Sequence, residues 1–210
     1  MTERLYLTQP ALSADIEVLS CTLLEDGRHA VRLSATPFHP QGGGQPSDVG
    51  WLGEVAVLRV SNEDDDIVHY THAPVAPGPT RARVDAGPRQ LHARLHSAGH
   101  VIGHVMLQLG WTPTKAHHWP AEGRVVGIGK EAAPTLDGGE IERLCNALIA
   151  ADLACALSFE GGVRKVAFGH LPAFPCGGTH VASLAQIGRI EIQSARIKKG
   201  EVSVRYDVAA

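Results

Sequence analysis

Two short stretches of this chain carry side chains whose types and spacing suit a metal ion. The first is Leu95-His96-Ser97-Ala98-Gly99-His100, with imidazoles at i and i+4. On a helix they project from one face, roughly 5–6 Å apart at Cβ. The second is Pro175-Cys176-Gly177-Gly178-Thr179-His180, a thiol and an imidazole at the same spacing but with two glycines between them. That composition predicts a tight loop, not a helix. Two imidazoles from a rigid helix, joined by a thiol and an imidazole from a bent loop, suit a tetrahedral or open zinc site. Either pair alone is weak, because the chain holds 12 histidines. Together, with the Gly-Gly bend, they point to metal binding.

Histidine-dominated ligation beside glycine-rich loops reads as a catalytic centre that a water or a substrate completes. Paired CxxC knuckles would read as structural. The helix carries HSAGH and not HExxH, so the glutamate base of a zinc protease is missing. The fitting electrophile is one attacked without a strong dedicated base, such as an activated ester.

These donors need a helix and a loop brought together from far along the chain. Residues 89–109 form the strongest helical pattern. Pro88 lies near its start, Leu91, Leu95, Ile102, Val105, Met106 and Leu109 are apolar, and Gly110 is the stop. His92, His96, His100 and His104 lie four apart on it. Each step of four turns about 40° round the axis, so the four cannot face one ion, and periodicity does not choose the pair. A second helix is expected from Glu140 to about Leu157, with Cys145 and Cys155 in its packing.

Before Gly87-Pro88 the chain reads as strands joined by turns: residues 4–35, 51–61, 67–71 and 80–84, with an acidic turn at 62–66. The run TPFHPQGGGQPSD at 36–48 interrupts them. Three glycines between prolines make a loop whose backbone can approach a ligand closely, though no phosphate-loop Lys-Ser/Thr follows. Beyond the first helix, strands are expected at 115–119, 124–130 and 163–168, then a hairpin of 187–197 and 201–208. The fold class is therefore α+β: a small β-barrel-like domain at 1–86, followed by an α+β domain at 87–210 with the zinc site between a helix and a glycine-rich loop.

The bulk numbers agree with a globular protein of 210 residues. No apolar run approaches the ~18 residues that span a bilayer, and no basic-then-apolar leader opens the chain. The expected setting is the cytoplasm, with no membrane partner. The 4 cysteines are scattered, which fits reduced thiols better than a disulfide framework. The net charge of −3 argues against a broad nucleic-acid surface, but the last stretch is basic, with Arg189, Arg196, Lys198, Lys199 and Arg205.

On four matches the chain resembles the alanyl-tRNA editing proteins of the AlaX type, free-standing relatives of the editing domain of alanyl-tRNA synthetase. They are the 36–48 run, HSAGH at 96–100, PCGGTHV at 175–181, and the segment from Gly188-Arg189-Ile190 through Lys198-Lys199-Gly200 to Val204-Arg205-Tyr206. The resemblance implies one Zn²⁺ held by His96, His100, Cys176 and His180. It implies hydrolysis of the ester joining serine or glycine to the 3′ end of tRNA(Ala), without ATP. It places Thr36 and Gln45 in catalysis, with Thr36 reading the serine hydroxyl, and Gly42, Gly43, Gly44 and Thr179 against the substrate. Arg196, Lys198 and Lys199 are the candidate tRNA contacts. His39 departs from a tyrosine common in the family. A synthetase pocket for alanine rejects serine poorly, because one added hydroxyl costs little, so a second site must hydrolyse the product. Two alternatives remain: a metal-dependent hydrolase of a small amino-acid ester or amide, and a non-catalytic zinc-containing tRNA-binding module. The oligomeric state is not legible in the sequence.

Overall fold

A computed structural model describes residues 1–129 and 136–209. The fold is α+β, dominated by strands, with two α-helices among the described residues: α1 (Ala86–Gln108) and α2 (Gly138–Ala150). The chain divides into two compact units, Met1–Gly42 with Pro46–Gln90, and Gly43–Gln45 with Leu91–Ala210.

In the first unit six strands close a barrel in the order Ser13–Leu23, His29–Leu33, Asp66–Thr71, Val55–Glu63, Gly50–Leu52 and Gly78–Val84. The last returns to the first in antiparallel register from Ser13↔Arg83 to Val18↔Gly78. Alternation sets the inner face: Ala82 and Val84 are buried while Arg81 and Arg83 point out. Val18, Val31, Leu33, Phe38, Leu52, Val60 and Ile67 belong to its core. The acidic turn is a two-residue hairpin loop. Asp64 and Asp65 both take left-handed φ, 49° and 62°, a conformation that short Asp side chains tolerate.

The loop after Thr36 is held by a buried ion pair. Asp48 accepts from Arg89 Nε at 3.0 Å and from His39 N at 2.6 Å, and Arg89 Nη2 donates to Pro37 O at 2.7 Å. Asp85 starts α1 by accepting from Gly87 N at 3.0 Å, as an N-cap does.

In the second unit a four-stranded antiparallel sheet runs Ile190–Lys198, Glu201–Val208, Arg124–Gly129, Trp111–His117. From Leu91 on, α1 shares one core with it: Leu95, Ala98, Ile102, Val105 and Met106 cluster with Val125, Val202, Val204 and Tyr206. The expected strand at 124–130 ends at Gly129, and Lys130 lies outside the described residues.

One expected element is corrected. The second helix stops at Ala150 and does not reach Leu157. Asp152 turns the chain at φ 46°, and Cys155–Glu160 then pairs antiparallel with Val163–Phe168 from Cys155↔Phe168 to Glu160↔Val163. The apolar residues read as a continued helical stripe belong to a strand whose partner supplies backbone bonds that local propensity could not foresee. Cys145 does belong to the packing of α2, where burial pushes its thiol up to about 12.

Candidate metal centre

His96 and His100 project from α1, and Cys176 and His180 come from the loop that follows the short strand Phe174–Pro175. One nitrogen from each histidine and the Cys176 sulfur all lie within 4.8 Å of one another. Cys176 Sγ is 3.3 Å from His96 Nε2 and 3.2 Å from His180 Nε2. A tetrahedral zinc shell with bonds of about 2.0–2.3 Å has edges of roughly 3.4–3.6 Å, so the spacing fits that ion with little adjustment. Four protein donors already fill such a shell. Neither His92 nor His104 belongs to the group; His104 instead stacks on Phe174, with centroids 4.5 Å apart.

The opposite nitrogens are fixed by oxygens. Gln45 Oε1 accepts from Thr179 N at 3.0 Å and lies 2.7 Å from His96 Nδ1. An amide oxygen only accepts, so His96 carries its proton on Nδ1 and keeps the Nε2 lone pair for the centre. His180 Nδ1 faces Ser97 Oγ at 3.1 Å, an oxygen that also accepts from Val181 N at 3.2 Å. Gln45 Nε2 donates to Thr179 Oγ1 at 2.9 Å. Gln45 is wholly buried and touches a candidate ligand, whereas Ser97 is a supporting residue that spacing alone did not single out.

The Cys176 loop is shaped by Arg164. Its guanidinium donates to Cys176 O at 2.6 Å and Gly178 O at 3.0 Å, while Cys176 N donates to Arg164 O at 3.0 Å. Burial pushes the Cys176 thiol up, opposed by a hydrogen bond from Gly178 N and by the Arg164 charge. Both motif glycines are explained by close approach. A Cβ on Gly178 would sit 2.1 Å from His96 Cε1, and one on Gly99 would sit 2.2 Å from His118 Cε1. The bend is secondary; the space goes to imidazole rings.

A pocket of about 350 Å³ opens beside these groups, lined among others by Gly43, His96, His100, Lys115, His118, Phe174 and Cys176. His118 was not expected here. Its ring stacks on His96, centroids 4.2 Å apart and planes 21° off parallel. Burial holds His100 and His118 neutral, with pKa values down to about 3 and about 4.

The other expected residues are placed as follows. Thr36 is buried in the first unit, its Oγ1 2.8 Å from His69 Nε2 and accepting from Phe38 N at 3.2 Å. Gly42 is exposed in the same unit. Gly44 O accepts from His118 N at 2.8 Å. Arg196, Lys198 and Lys199 are exposed at the end of the hairpin of Ile190–Lys198 and Glu201–Val208, with Lys199 at φ 52° in its turn. No helix is long and apolar enough to cross a membrane among the described residues.

No family model matches the chain. Individual proteins do. It is 30% identical to an alanine–tRNA ligase of Halorubrum lacusprofundi over 91% of this chain and 24% of the ligase. It is 30% identical to the alanyl-tRNA editing protein Aarsd1 of Bos taurus over 77% of this chain and 41% of that protein. The editing protein Aarsd1-A of Xenopus laevis is 27% identical over 77% of this chain and 44% of its own length. The chain thus spans less than half of each of these relatives. It is a relative of these proteins over most of its own length.

Proposed function

We propose that this relative of the alanyl-tRNA editing proteins is a trans-acting, zinc-dependent hydrolase that removes serine, and also glycine, from mischarged tRNA(Ala). The convergence of His96, His100, Cys176 and His180 beside an open pocket carries the reading. The kinship narrows it from a metal hydrolase to the aminoacyl ester. In this reading residues 87–210 are the editing domain and 1–86 its barrel partner, working in the cytoplasm.

Bound zinc would supply a fixed positive charge that draws electron-rich groups of the aminoacyl end and steadies charge developing on the ester. The chain's own residues do the rest. Gln45 and Ser97 orient His96 and His180, and so act on the reaction through the ligands. Gly178 N and Arg164 favour the thiolate of Cys176. Phe174 and the His118 ring wall the pocket and limit water. Gly43 gives the substrate close backbone access, and Lys115 stands where the 3′ end's negative charge can be met. Arg196, Lys198 and Lys199 hold tRNA phosphates.

Thr36 keeps its assignment to the serine hydroxyl on its own chemistry. His69 Nδ1 lies 3.3 Å from Val31 O and must donate to it, so Nε2 takes the Thr36 proton. Thr36 then offers only an acceptor, which is what a serine hydroxyl acting as donor needs and alanine cannot use.

The test is deacylation of Ser-tRNA(Ala), Ala-tRNA(Ala) and a minimal serine ester by purified protein. Loss of serine from tRNA with alanine spared is expected. Equal action on the minimal ester would move the assignment to a small-ester hydrolase, and zinc binding without any hydrolysis to a binding module.

A further inference from the structure

His118 is the one imidazole in the pocket that neither the metal group nor the sequence motifs claim. Its tautomer is set by a relay. Tyr206 Oη lies 2.9 Å from Leu95 O and 2.6 Å from His118 Nδ1. A carbonyl oxygen cannot donate, so the phenol gives its single proton to Leu95 O and its oxygen accepts from His118 Nδ1–H. Nε2 is left with a bare lone pair and no hydrogen-bond partner among the described residues. Tyr206 is fully buried, so the relay is held by the core. The ring itself is clamped, stacked on His96, tied through its own backbone to Gly44 O, and seated in the space that Gly99 leaves.

The chemistry around this lone pair narrows what it meets. The pocket lining has no carboxylate. Once His96, His100 and Cys176 are committed to a metal, the remaining side-chain acceptors are His118 Nε2 and Thr114 Oγ1, whose own proton goes to Val126 O at 3.3 Å. An aminoacyl ester brings in an α-amino group rich in N–H donors, which lose hydration on entry and need acceptors.

We propose that His118 is a substrate-contacting residue whose Nε2 accepts a hydrogen bond from the α-amino group of the bound aminoacyl ester, with Tyr206 as the positioning residue that keeps Nε2 bare. This rests on the aminoacyl-ester reading of the site. It makes the free amine a requirement and distinguishes an aminoacyl end from an N-blocked one.

The experiment compares Ser-tRNA(Ala) with N-acetyl-Ser-tRNA(Ala) on wild type, His118→Phe and Tyr206→Phe, with zinc content measured on each. A hydrogen bond to a charged group carries ~10–150-fold, so His118→Phe should lose about 30-fold in kcat/KM on the free-amine substrate at unchanged zinc. Wild type should lose a similar factor on the acetylated substrate, and His118→Phe should lose little more. Equal losses by His118→Phe on both substrates, or no loss on either, would overturn the proposal. Nitrogen-15 NMR of the wild-type ring gives a reading independent of any variant's folding. It should report a bare Nε2 and a protonated Nδ1, with mixed tautomers in Tyr206→Phe; a protonated Nε2 in wild type would sink the relay. Wild type inactive on both substrates would instead refute the editing reading itself.

Discussion

His69 in the first unit and His96 in the second are both buried imidazoles, and they differ in what completes them. His69 has both nitrogens answered by protein, Nδ1 by Val31 O and Nε2 by Thr36 Oγ1. His96 has Nδ1 answered by Gln45, while its Nε2 meets a cysteine sulfur and two further imidazoles. A histidine satisfied on both sides is held for what it positions. Histidines that crowd their lone pairs around a thiol need a cation to remove the mutual repulsion and the desolvation cost. Burial alone did not separate the two, since both rings are nearly or wholly inaccessible.

The sharpest way to break this contrast is Cys176→Ala. Metal content should fall from one per chain to near zero, and deacylation should drop by more than the roughly 10–100-fold typical of losing an outer partner. Metal analysis beside single-turnover rates reads both. Gln45→Ala comes next. It frees His96 Nδ1 and should weaken zinc by about 10–100-fold in a chelator competition, with the fold intact. A Gln45 variant with unchanged affinity would mean that the amide does not orient the ligand.

His69 gives a smaller effect that depends on pH. Burial lowers its pKa from 6.5 to about 4, so folding favours the neutral ring. The stability it contributes is fully present above the unfolded value of 6.5 and is lost as pH falls from there toward 4. The slope is about 1.4 kcal/mol per pH unit. Urea unfolding at pH 7 and 5.5 should show that decline, and His69→Phe should flatten it without touching zinc content. The smallest effect is expected at the hairpin. Lys198→Glu with Lys199→Glu should raise KM for tRNA a few-fold. It should also make binding less dependent on salt, by about one unit of slope for each phosphate no longer neutralised.

The sequence was most legible where chemistry constrained it. HSAGH and the Cys176 loop supplied the four donors that the fold brings together, and a resemblance, not periodicity, chose His96 and His100 from the row of four on α1. The α+β class followed from the change of period at Gly87-Pro88. What was hidden depended on distant partners. The strand Cys155–Glu160 read as helix because its pairing with Val163–Phe168 is invisible to local pattern. His118 sits in a segment with no motif, and only Gly99 hinted at it: a glycine inside a helix asks what occupies the missing Cβ's place. Ser97 was likewise present in the motif, but its bond to His180 depends on a loop more than eighty residues away.

The central claim is that the four donors hold a metal on which ester hydrolysis depends. The direct measurement is a zinc titration of chelator-stripped protein, followed in parallel by bound metal and by deacylation of Ser-tRNA(Ala). Activity that returns in step with occupancy and saturates at one zinc per chain is the predicted result. Full deacylation by metal-free protein, or one zinc bound with activity unchanged, would contradict it.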